Sequence, residues 1–148
     1  MRIISGLYKG RKLQVGQDLS IRPTTDRVKE FIFNVLQDFP QNKIVADIFS
    51  GSGNLGLEAL SRGSKHVIFV EKNISSINVL KNNIAGFSLT PSTYTIIQKT
   101  AEDFHVGNLI DLEHEIINPI LVESKYYTIL KQKKVSRSFI SFIEKRTK

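Results

Sequence analysis

The chain has 148 residues, of which 41% are hydrophobic and 9% aromatic, which is enough for one globular core but not for two full domains. The absence of cysteine excludes disulfides, thiolate metal sites and a cysteine nucleophile. No apolar run approaches the roughly 20 residues of a membrane-spanning helix, and the N-terminus lacks the apolar stretch of a signal peptide. We therefore expect a cytoplasmic protein.

The net charge of +7 is distributed unevenly along the chain. Residues 1–43 hold eight Lys/Arg and four Asp/Glu, a balance of +4. Residues 44–123 hold five and nine, which gives −4, and residues 124–148 hold eight and one, which gives +7. Two basic ends around an acidic centre favour a polyanionic partner, because counterion release drives such binding. The plainer interpretation is a solvated surface that keeps the protein soluble.

The first 43 residues predict a small β element followed by a helix. Residues 1–15 contain two short apolar stretches around a turn at Lys9-Gly10. After them, apolar side chains recur at helical spacing in one stripe, namely Val28, Phe31, Ile32, Val35, Leu36 and Phe39. Thr24 or Thr25 can cap this helix, and Pro40 is expected to end it.

From residue 44 onward, apolar strands alternate with helices. Strands are expected at residues 44–49, 67–70, 94–98 and 120–123, and a terminal hairpin at 127–144 with Ser136 near its turn. Helices are expected at residues 55–62, 77–86 and 109–117, with Gly86 ending the second in the left-handed conformation and Asn118-Pro119 ending the third. This order is typical of a parallel α/β sheet covered on both faces. We expect a single domain over residues 1–148, with a basic extension at 1–43 and a cofactor-binding core at 44–148.

A glycine-rich turn follows the first of these strands. The segment from Ser50 to Gly56 contains the pattern G-x-G-x-x-G and leads into a helix, and Glu71 ends the next strand 20 residues after Gly51. Glycines let the backbone approach a ligand closely, and the carboxylate can accept hydrogen bonds from ribose hydroxyls. The pattern predicts a nucleoside-type cofactor. The alternative is a glycine-rich turn needed for packing alone.

Two cofactors, NAD and S-adenosylmethionine (SAM), fit this pattern. A dinucleotide presents a pyrophosphate to the helix N-terminus, and an acidic residue beside it gains nothing. Asp47 lies in the strand, four residues before Gly51, where it can help to hold the cationic methionyl group of SAM. We therefore favour SAM and keep NAD as the alternative.

Four segments of the chain follow the motifs of one known family in order and spacing: residues 1–13, 21–34, 47–63 and 67–73. They resemble the RsmD-type methyltransferases, which methylate the 2-amino group of a guanine in small-subunit (16S) ribosomal RNA. The resemblance is dense over residues 1–104, and residues 120–125 and 127–144 resemble the last three strands of the family. It implies a Rossmann-like class I SAM-dependent methyltransferase sheet with an N-terminal β-hairpin and helix extension.

The resemblance also implies the partners and the site residues. SAM is the expected cofactor, and cofactor contacts are expected from Asp47, Phe49, Ser50, Gly51, Gly53, Glu71, Ala101 and Glu102. The expected partner is small-subunit ribosomal RNA or an assembling ribosomal subunit, contacted by Arg2, Lys9, Arg11, Lys12, Arg22 and Arg27, although these cations are also compatible with plain surface. No metal is expected, because His66, His105 and His114 are isolated. The protein is expected to be a monomer.

One family motif is absent from the sequence. The fourth strand of the family ends in Asp/Asn-Pro-Pro-aromatic, which positions the target amine and stacks on the flipped base. After Phe104, roughly 30 residues of the family pattern are absent by the usual lengths of strands and helices. Asn118-Pro119 is a weak candidate for the catalytic motif, and its other interpretation is a turn between a helix and a strand.

The gap changes what we expect of both the function and the sheet. Methyl transfer is expected to be severely reduced or absent, and the alternative function is a catalytically silent SAM- and RNA-binding protein that acts in ribosome assembly. The absent strand would lie between the first and fifth strands of the family sheet. Its loss leaves unpaired backbone groups unless the neighbouring strands close up.

Overall fold

The structure is a computed structural model that describes residues 1–16, 24–38, 40–100, 116–117, 127–135 and 138–145. The helices are α1 (Asp26–Leu36), α2 (Asn54–Ser61) and α3 (Ile74–Phe87), with a short 3-10 turn at Pro91–Thr93. The strands are β1 (Ile44–Ile48), β2 (His66–Glu71), β3 (Tyr94–Gln98), β4 (Ile116–Ile117), β5 (Tyr127–Val135) and β6 (Ser138–Lys145). Within the described ranges, no helix is long and apolar enough to cross a membrane.

The centre of the fold is a parallel sheet in the order β3-β2-β1-β4. β2 lies between β1 and β3, and the four residues Val67–Val70 are all buried. Leu57 of α2 and Leu80 of α3 join Phe69 of β2 in the hydrophobic core. A fully apolar strand is expected where both faces of a sheet are covered, so the predicted parallel α/β sheet is confirmed.

The strand β4 corrects one prediction from the sequence. Ile116 and Ile117 were expected in a helix, but they pair in parallel with Ile44 and Val45 of β1. Two β-branched residues suit a strand inside a sheet, and this pairing supplies backbone partners for the edge of β1. The predicted strand at residues 120–123 lies outside the described residues.

β4 forms the edge of the described parallel sheet, next to β1. In the part of the chain that the structure describes, β4 pairs directly with β1, and β6 contacts β4. β5 and β6 form the antiparallel hairpin that the sequence predicts, with Tyr127 opposite Lys145 and Val135 opposite Ser138. The place beside β1, where the absent strand was expected, is thus taken by β4.

The helix ends differ from the predictions in two places. Thr25 caps α1 as expected, since its Oγ1 accepts a hydrogen bond from Val28 N at 3.4 Å, but α1 ends at Leu36 rather than at Pro40. Gly86 lies inside α3, and Ser88 takes the left-handed conformation instead, with φ 53°. The longer helix lets Phe87 reach the core, where its ring lies edge-on to Tyr8 with centroids 5.1 Å apart.

The predicted apolar stripe of α1 is confirmed in part, because Ile32 and Leu36 pack against the core. Lys29 and Phe33 are the buried residues of this helix, whereas Phe31 is 36% exposed. The Lys29 ammonium lies 3.2 Å from Glu58 Oε2, and both side chains are fully buried. Burial lowers the pKa of Lys29, and the carboxylate of Glu58 partly offsets that effect. The ion pair brings a lysine into the core, which apolar spacing cannot predict.

The N-terminal segment, residues 1–16, docks on α2. It folds back on itself at an isolated antiparallel bridge between Arg2 and Lys12, as the predicted β element requires. Its backbone is held by Glu58, which accepts hydrogen bonds from Ile4 N at 2.8 Å and Ser5 N at 3.1 Å. Ser61 O accepts another from Leu7 N at 2.7 Å. These hydrogen bonds hold the N-terminal segment against α2.

Substitutions at two glycines of the N-terminal segment can measure how much its contact with α2 contributes to stability. Gly6 and Gly10 both have left-handed backbones, with φ 83° and 86°. A Cβ on Gly6 would lie 1.8 Å from Ser61 O, whereas one on Gly10 would meet nothing within 4 Å. We expect Gly10→Ala to lower the free energy of unfolding by about 1–2 kcal/mol, the usual cost of this backbone conformation. Gly6→Ala should cost at least about 2 kcal/mol more, because the segment must also move away from α2.

Urea denaturation of the two variants measures this difference. Because both substitutions incur the same backbone cost, the difference between them isolates the contact with α2. Equal losses of stability in Gly6→Ala and Gly10→Ala would show that the segment is not docked on Ser61.

Candidate functional site

A pocket opens at the carboxyl end of β1. We call residues 49–53, which join β1 to α2, the glycine loop, and we call the cavity beside it the loop pocket. Phe49, Ser50, Gly51 and Ser52 line it, together with Asp47 from β1 and Asn54 from α2. α3 contributes Ser76 and Val79, and the N-terminal segment contributes Met1, Val15 and Gly16. Ligands of open α/β sheets bind at this end of the strands.

The three glycines of the predicted pattern have different roles. A Cβ on Gly53 would lie 2.4 Å from Leu80 Cδ1, and one on Gly56 would lie 2.3 Å from Phe69 Cε1. These two positions are therefore required for packing, which is the alternative that the sequence left open. A Cβ on Gly51, which lines the loop pocket, would meet nothing within 4 Å. Gly51 thus leaves open space that a ligand can approach.

Phe49 has an unusual backbone at the entrance to the glycine loop. Its φ is 64°, in the left-handed region, and its side chain is 53% exposed although it is aromatic. Both features are unfavourable for stability, and residues in such conformations cluster at functional sites. The arrangement presents an apolar ring to the loop pocket.

Glu71 connects the end of β2 to the glycine loop. Its Oε2 accepts a hydrogen bond from Gly51 N at 3.0 Å, and its Oε1 accepts one from Asn73 N at 2.8 Å. Each carboxylate oxygen has further lone pairs that can accept hydrogen bonds from hydroxyl groups. The sequence predicts a cofactor between Gly51 and Glu71, and the structure adds a direct hydrogen bond between these two residues.

Asp47 caps the N-terminus of α2 from inside the sheet. Its Oδ2 accepts a hydrogen bond from Gly56 N at 2.8 Å, which compensates for Gly53, an N-cap without a side chain. Burial raises the pKa of Asp47 to about 7, the hydrogen bond from Gly56 opposes that rise, and the negative charge of Glu71 adds to it. An acid with this pKa changes its charge near neutral pH, and a cation in the pocket would favour its charged form.

Ser50 carries a buried hydroxyl that has no hydrogen-bond partner among the described residues. Its backbone N donates to Val70 O at 3.0 Å, so the residue itself is fixed. Because buried polar groups are nearly always satisfied, this hydroxyl is available to a ligand in the loop pocket. Together with the carboxylates of Asp47 and Glu71 and the open Gly51, it fits a ligand with hydroxyl and cationic groups, such as SAM.

The candidate RNA-binding side chains differ in whether they are free in solvent or hold contacts within the protein. Lys9, Lys12 and Arg27 are exposed, and Arg2 lies 3.6 Å from Asp26 with most of its side chain exposed. Arg11 donates a hydrogen bond to Gly86 O, and its guanidinium lies 5.4 Å from the ring centroids of both Tyr8 and Phe87. Arg11 therefore joins the N-terminal segment to α3 within the protein, a role that the sequence did not indicate.

Four predicted site residues lie outside the described residues: Arg22, Ala101, Glu102 and Asn118. Residue 117, the last of β4, immediately precedes Asn118 in the sequence. In the described ranges, no group of three or more His, Asp or Glu residues is arranged to hold a metal ion.

Two residues at the site were missed by the sequence analysis. Asn83 of α3 is only 4% exposed and hydrogen-bonds both Gln14 and Ser52. Lys29 donates to Asn54 Oδ1 at 2.7 Å, and Asn54 in turn donates to Thr24 O at 3.0 Å. Asn83 lies three residues after Leu80 and so shares the buried face of α3, which is the signal that could have identified it.

Comparison with known proteins extends over most of the chain. A family model described as conserved hypothetical protein 95 matches residues 1–109. A candidate rRNA methyltransferase of Bacillus subtilis, YlbH, is 48% identical over 90 residues, which are 61% of this chain and 49% of that protein. Ribosomal RNA small subunit methyltransferase D of Haemophilus influenzae is 42% identical over 104 residues, which are 70% of this chain and 54% of that protein. The chain thus spans about half the length of the curated relatives it matches.

Solved structures resemble the fold over a larger share of the chain. A candidate methyltransferase of Escherichia coli, yhhF, superposes with a TM-score of 0.74 at 23% identity, covering 100% of this chain and 99% of that one. A candidate methylase of Haemophilus influenzae superposes with a TM-score of 0.66 at 26% identity, covering 98% of both chains. These likenesses confirm the predicted class I methyltransferase fold.

The raised pKa of Asp47 predicts a pH dependence of stability. In the unfolded chain this carboxyl titrates near 3.8, and in the folded protein near 7. Between these two pKa values the folded state holds the proton and the unfolded state does not, so the free energy of unfolding falls as the pH rises. Below about pH 4 both states are protonated, and the stabilisation is then complete. The loss should total about 4 kcal/mol by pH 8, since each pKa unit corresponds to about 1.4 kcal/mol.

Asp47→Asn tests this dependence, because asparagine can still accept the hydrogen bond from Gly56. Thermal or urea unfolding between pH 4 and pH 8 should show a flatter profile in Asp47→Asn than in the wild-type protein. Asp38→Asn, at an exposed position, is the matched control and should keep the wild-type profile. A profile for Asp47→Asn that coincides with that of Asp38→Asn would contradict the assignment.

Proposed function

The chain belongs to the conserved hypothetical protein 95 family, the RsmD-type methyltransferases, and we propose that it binds SAM in the loop pocket and acts on ribosomal RNA. The observation that carries the proposal is the hydrogen bond between Glu71 and Gly51, which joins the acid at the end of β2 to the glycine loop at the mouth of the pocket. SAM, when bound, supplies a methyl group on a positively charged sulfur. The chain's own residues bind and orient it.

Each proposed cofactor contact has a physical basis in the described residues. The free lone pairs of Glu71 suit the two ribose hydroxyls, and the open face of Gly51 admits the sugar without a Cβ in the way. Asp47, whose charged form is favoured by a neighbouring cation, suits the methionyl end. The unpartnered Ser50 hydroxyl offers one further hydrogen bond.

The finer proposal for the substrate is the 2-amino group of a guanine in small-subunit (16S) ribosomal RNA. The resemblance of the sequence motifs to the RsmD-type enzymes supports it, as does the name of the Haemophilus influenzae relative, ribosomal RNA small subunit methyltransferase D. We also propose that residues 1–148 form one domain, in which residues 1–43 contact the RNA and residues 44–148 hold the cofactor.

A second candidate function is a catalytically silent protein that binds SAM and RNA during ribosome assembly. The Asp/Asn-Pro-Pro-aromatic motif occurs nowhere in the sequence. Asn118, the residue after β4, stays the candidate for the acceptor side. The two functions share the cofactor and the RNA and differ only in methyl transfer.

Glu71→Ala should weaken the binding of S-adenosylhomocysteine, the demethylated product of SAM. The loss of hydrogen bonds to a charged acceptor should cost about 1.5–3 kcal/mol of binding free energy, which isothermal titration calorimetry measures. Glu30→Ala, at an exposed position on α1, is the control and should bind as the wild-type protein does. Unchanged affinity in Glu71→Ala would remove the site assignment.

RNA binding through the basic ends should depend strongly on salt. The logarithm of the affinity for a fragment of small-subunit ribosomal RNA should fall linearly with the logarithm of the salt concentration. Replacing Lys9, Lys12 and Arg27 by glutamine should reduce the slope by about 2–3, because each phosphate contact contributes roughly 0.7–0.9. Arg11 is left in place because it holds α3.

The control for the RNA experiment replaces Lys81 and Lys99, two exposed cations in the acidic central part of the chain, by glutamine. This variant should keep the wild-type slope. If the N-terminal and central variants change the slope equally for each charge removed, residues 1–43 are not the RNA-binding face.

Methyl transfer distinguishes the two candidate functions. Positioning of reactants supplies on the order of 7–11 kcal/mol of barrier lowering in well-oriented reactions, and the absent motif is the one that orients the amine. We therefore expect transfer of labelled methyl from SAM to unmodified small-subunit particles to be severely reduced or absent. Turnover of about 1 per second or faster would overturn this expectation, and Asn118→Ala would then test whether Asn118 serves the acceptor side.

A further inference from the structure

Asn83 joins two parts of the chain that are far apart in sequence. Its Oδ1 accepts a hydrogen bond from Gln14 N at 2.8 Å, and its Nδ2 donates to Gln14 O at 3.1 Å. The same Nδ2 donates to Ser52 O at 2.9 Å. One buried amide therefore contacts both the N-terminal segment and the glycine loop with all of its polar atoms.

The two parts that Asn83 joins both line the loop pocket. Val15 and Gly16, which directly follow Gln14, line the pocket from the N-terminal segment, and Ser52 lines it from the glycine loop. A cofactor in the pocket therefore lies against both, and it can hold the segment in its docked position. On the segment's outer side are the exposed Lys9 and Lys12.

We propose that Asn83 is a positioning residue that couples cofactor binding in the loop pocket to RNA binding on the N-terminal segment. The inference rests on the proposed function for the identity of the two ligands. A cofactor that fixes the segment removes conformational entropy that RNA binding would otherwise have to remove, so each ligand increases the affinity for the other. Asn83 carries the coupling because its amide keeps the segment and the glycine loop in one arrangement.

The substitution Asn83→Asp changes this residue with little change in shape. An aspartate can still accept from Gln14 N, but it cannot donate to Gln14 O or Ser52 O, and its charge repels both carbonyls. Asn82→Asp makes the same chemical change one residue earlier in α3, at an exposed position. The pair therefore separates the loss of the link from the addition of a negative charge to this helix.

The first experiment measures the affinity for a fragment of small-subunit ribosomal RNA with and without saturating S-adenosylhomocysteine. In the wild-type protein and in Asn82→Asp, we expect the cofactor product to tighten RNA binding at least about fivefold, the lower end of typical allosteric coupling. In Asn83→Asp, RNA affinity should be the same with and without S-adenosylhomocysteine, although calorimetry shows that the compound binds. A fivefold effect retained in Asn83→Asp, or no effect in the wild-type protein, would overturn the proposal.

Hydrogen exchange keeps the proposal testable if Asn83→Asp does not fold. In the wild-type protein, S-adenosylhomocysteine should slow amide exchange in residues 11–16 by a factor of five or more, since the bound molecule holds the segment against Asn83. Unchanged exchange in these residues, despite saturation of the protein, would overturn the proposal. If calorimetry detects no binding of S-adenosylhomocysteine at all, the proposed function itself fails, and the two failures are distinguished by that measurement.

Discussion

The fully buried carboxylate of Glu58 holds together the parts of the chain that form the site. It accepts hydrogen bonds from Ile4 N, Ser5 N and Arg62 Nε, and it lies 3.2 Å from the Lys29 ammonium. A buried charge is tolerated only when it is this well satisfied, and removal of one partner typically costs about 3–5 kcal/mol. Because its partners come from the N-terminal segment, α1 and α2, their arrangement depends on this one group. The N-terminal segment and α2 both line the loop pocket, so the shape of the pocket depends on this arrangement.

The polar groups of the site act first as structural connections. Asp47 caps α2, Glu71 holds Gly51, and Asn83 joins Gln14 to Ser52. These side chains fix the glycine loop before any ligand arrives, so little reorganisation is needed on binding. The hydroxyl of Ser50 is different, because it is buried without a partner in the described part of the chain. The Ser50 hydroxyl therefore remains available to a ligand in this preformed frame.

The pairing of strands in the sheet affects both the stability of the protein and the place of the acceptor motif. The edge of a central strand must be paired or its backbone groups stay unsatisfied, and β4 pairs with β1. The loop pocket is lined by the N-terminal segment, the glycine loop, α2 and α3. In the proposed function, cofactor binding and methyl transfer therefore depend on separate parts of the family pattern, so the first can occur without the second.

The sequence alone determined the parallel sheet, the glycine loop and the position of Glu71 at the end of the next strand, because these depend on local spacing and on the order of strands. Tertiary structure decided what depends on contacts between distant residues. It turned Lys29 inward toward Glu58, gave Asn83 two partners some 30 and 70 residues away, and extended α3 past Gly86 so that Phe87 reaches Tyr8. It also made Ile116 and Ile117 a strand beside β1 rather than a helix. Apolar periodicity reports burial along one element, whereas a buried polar side chain is stable only where folding supplies its partner.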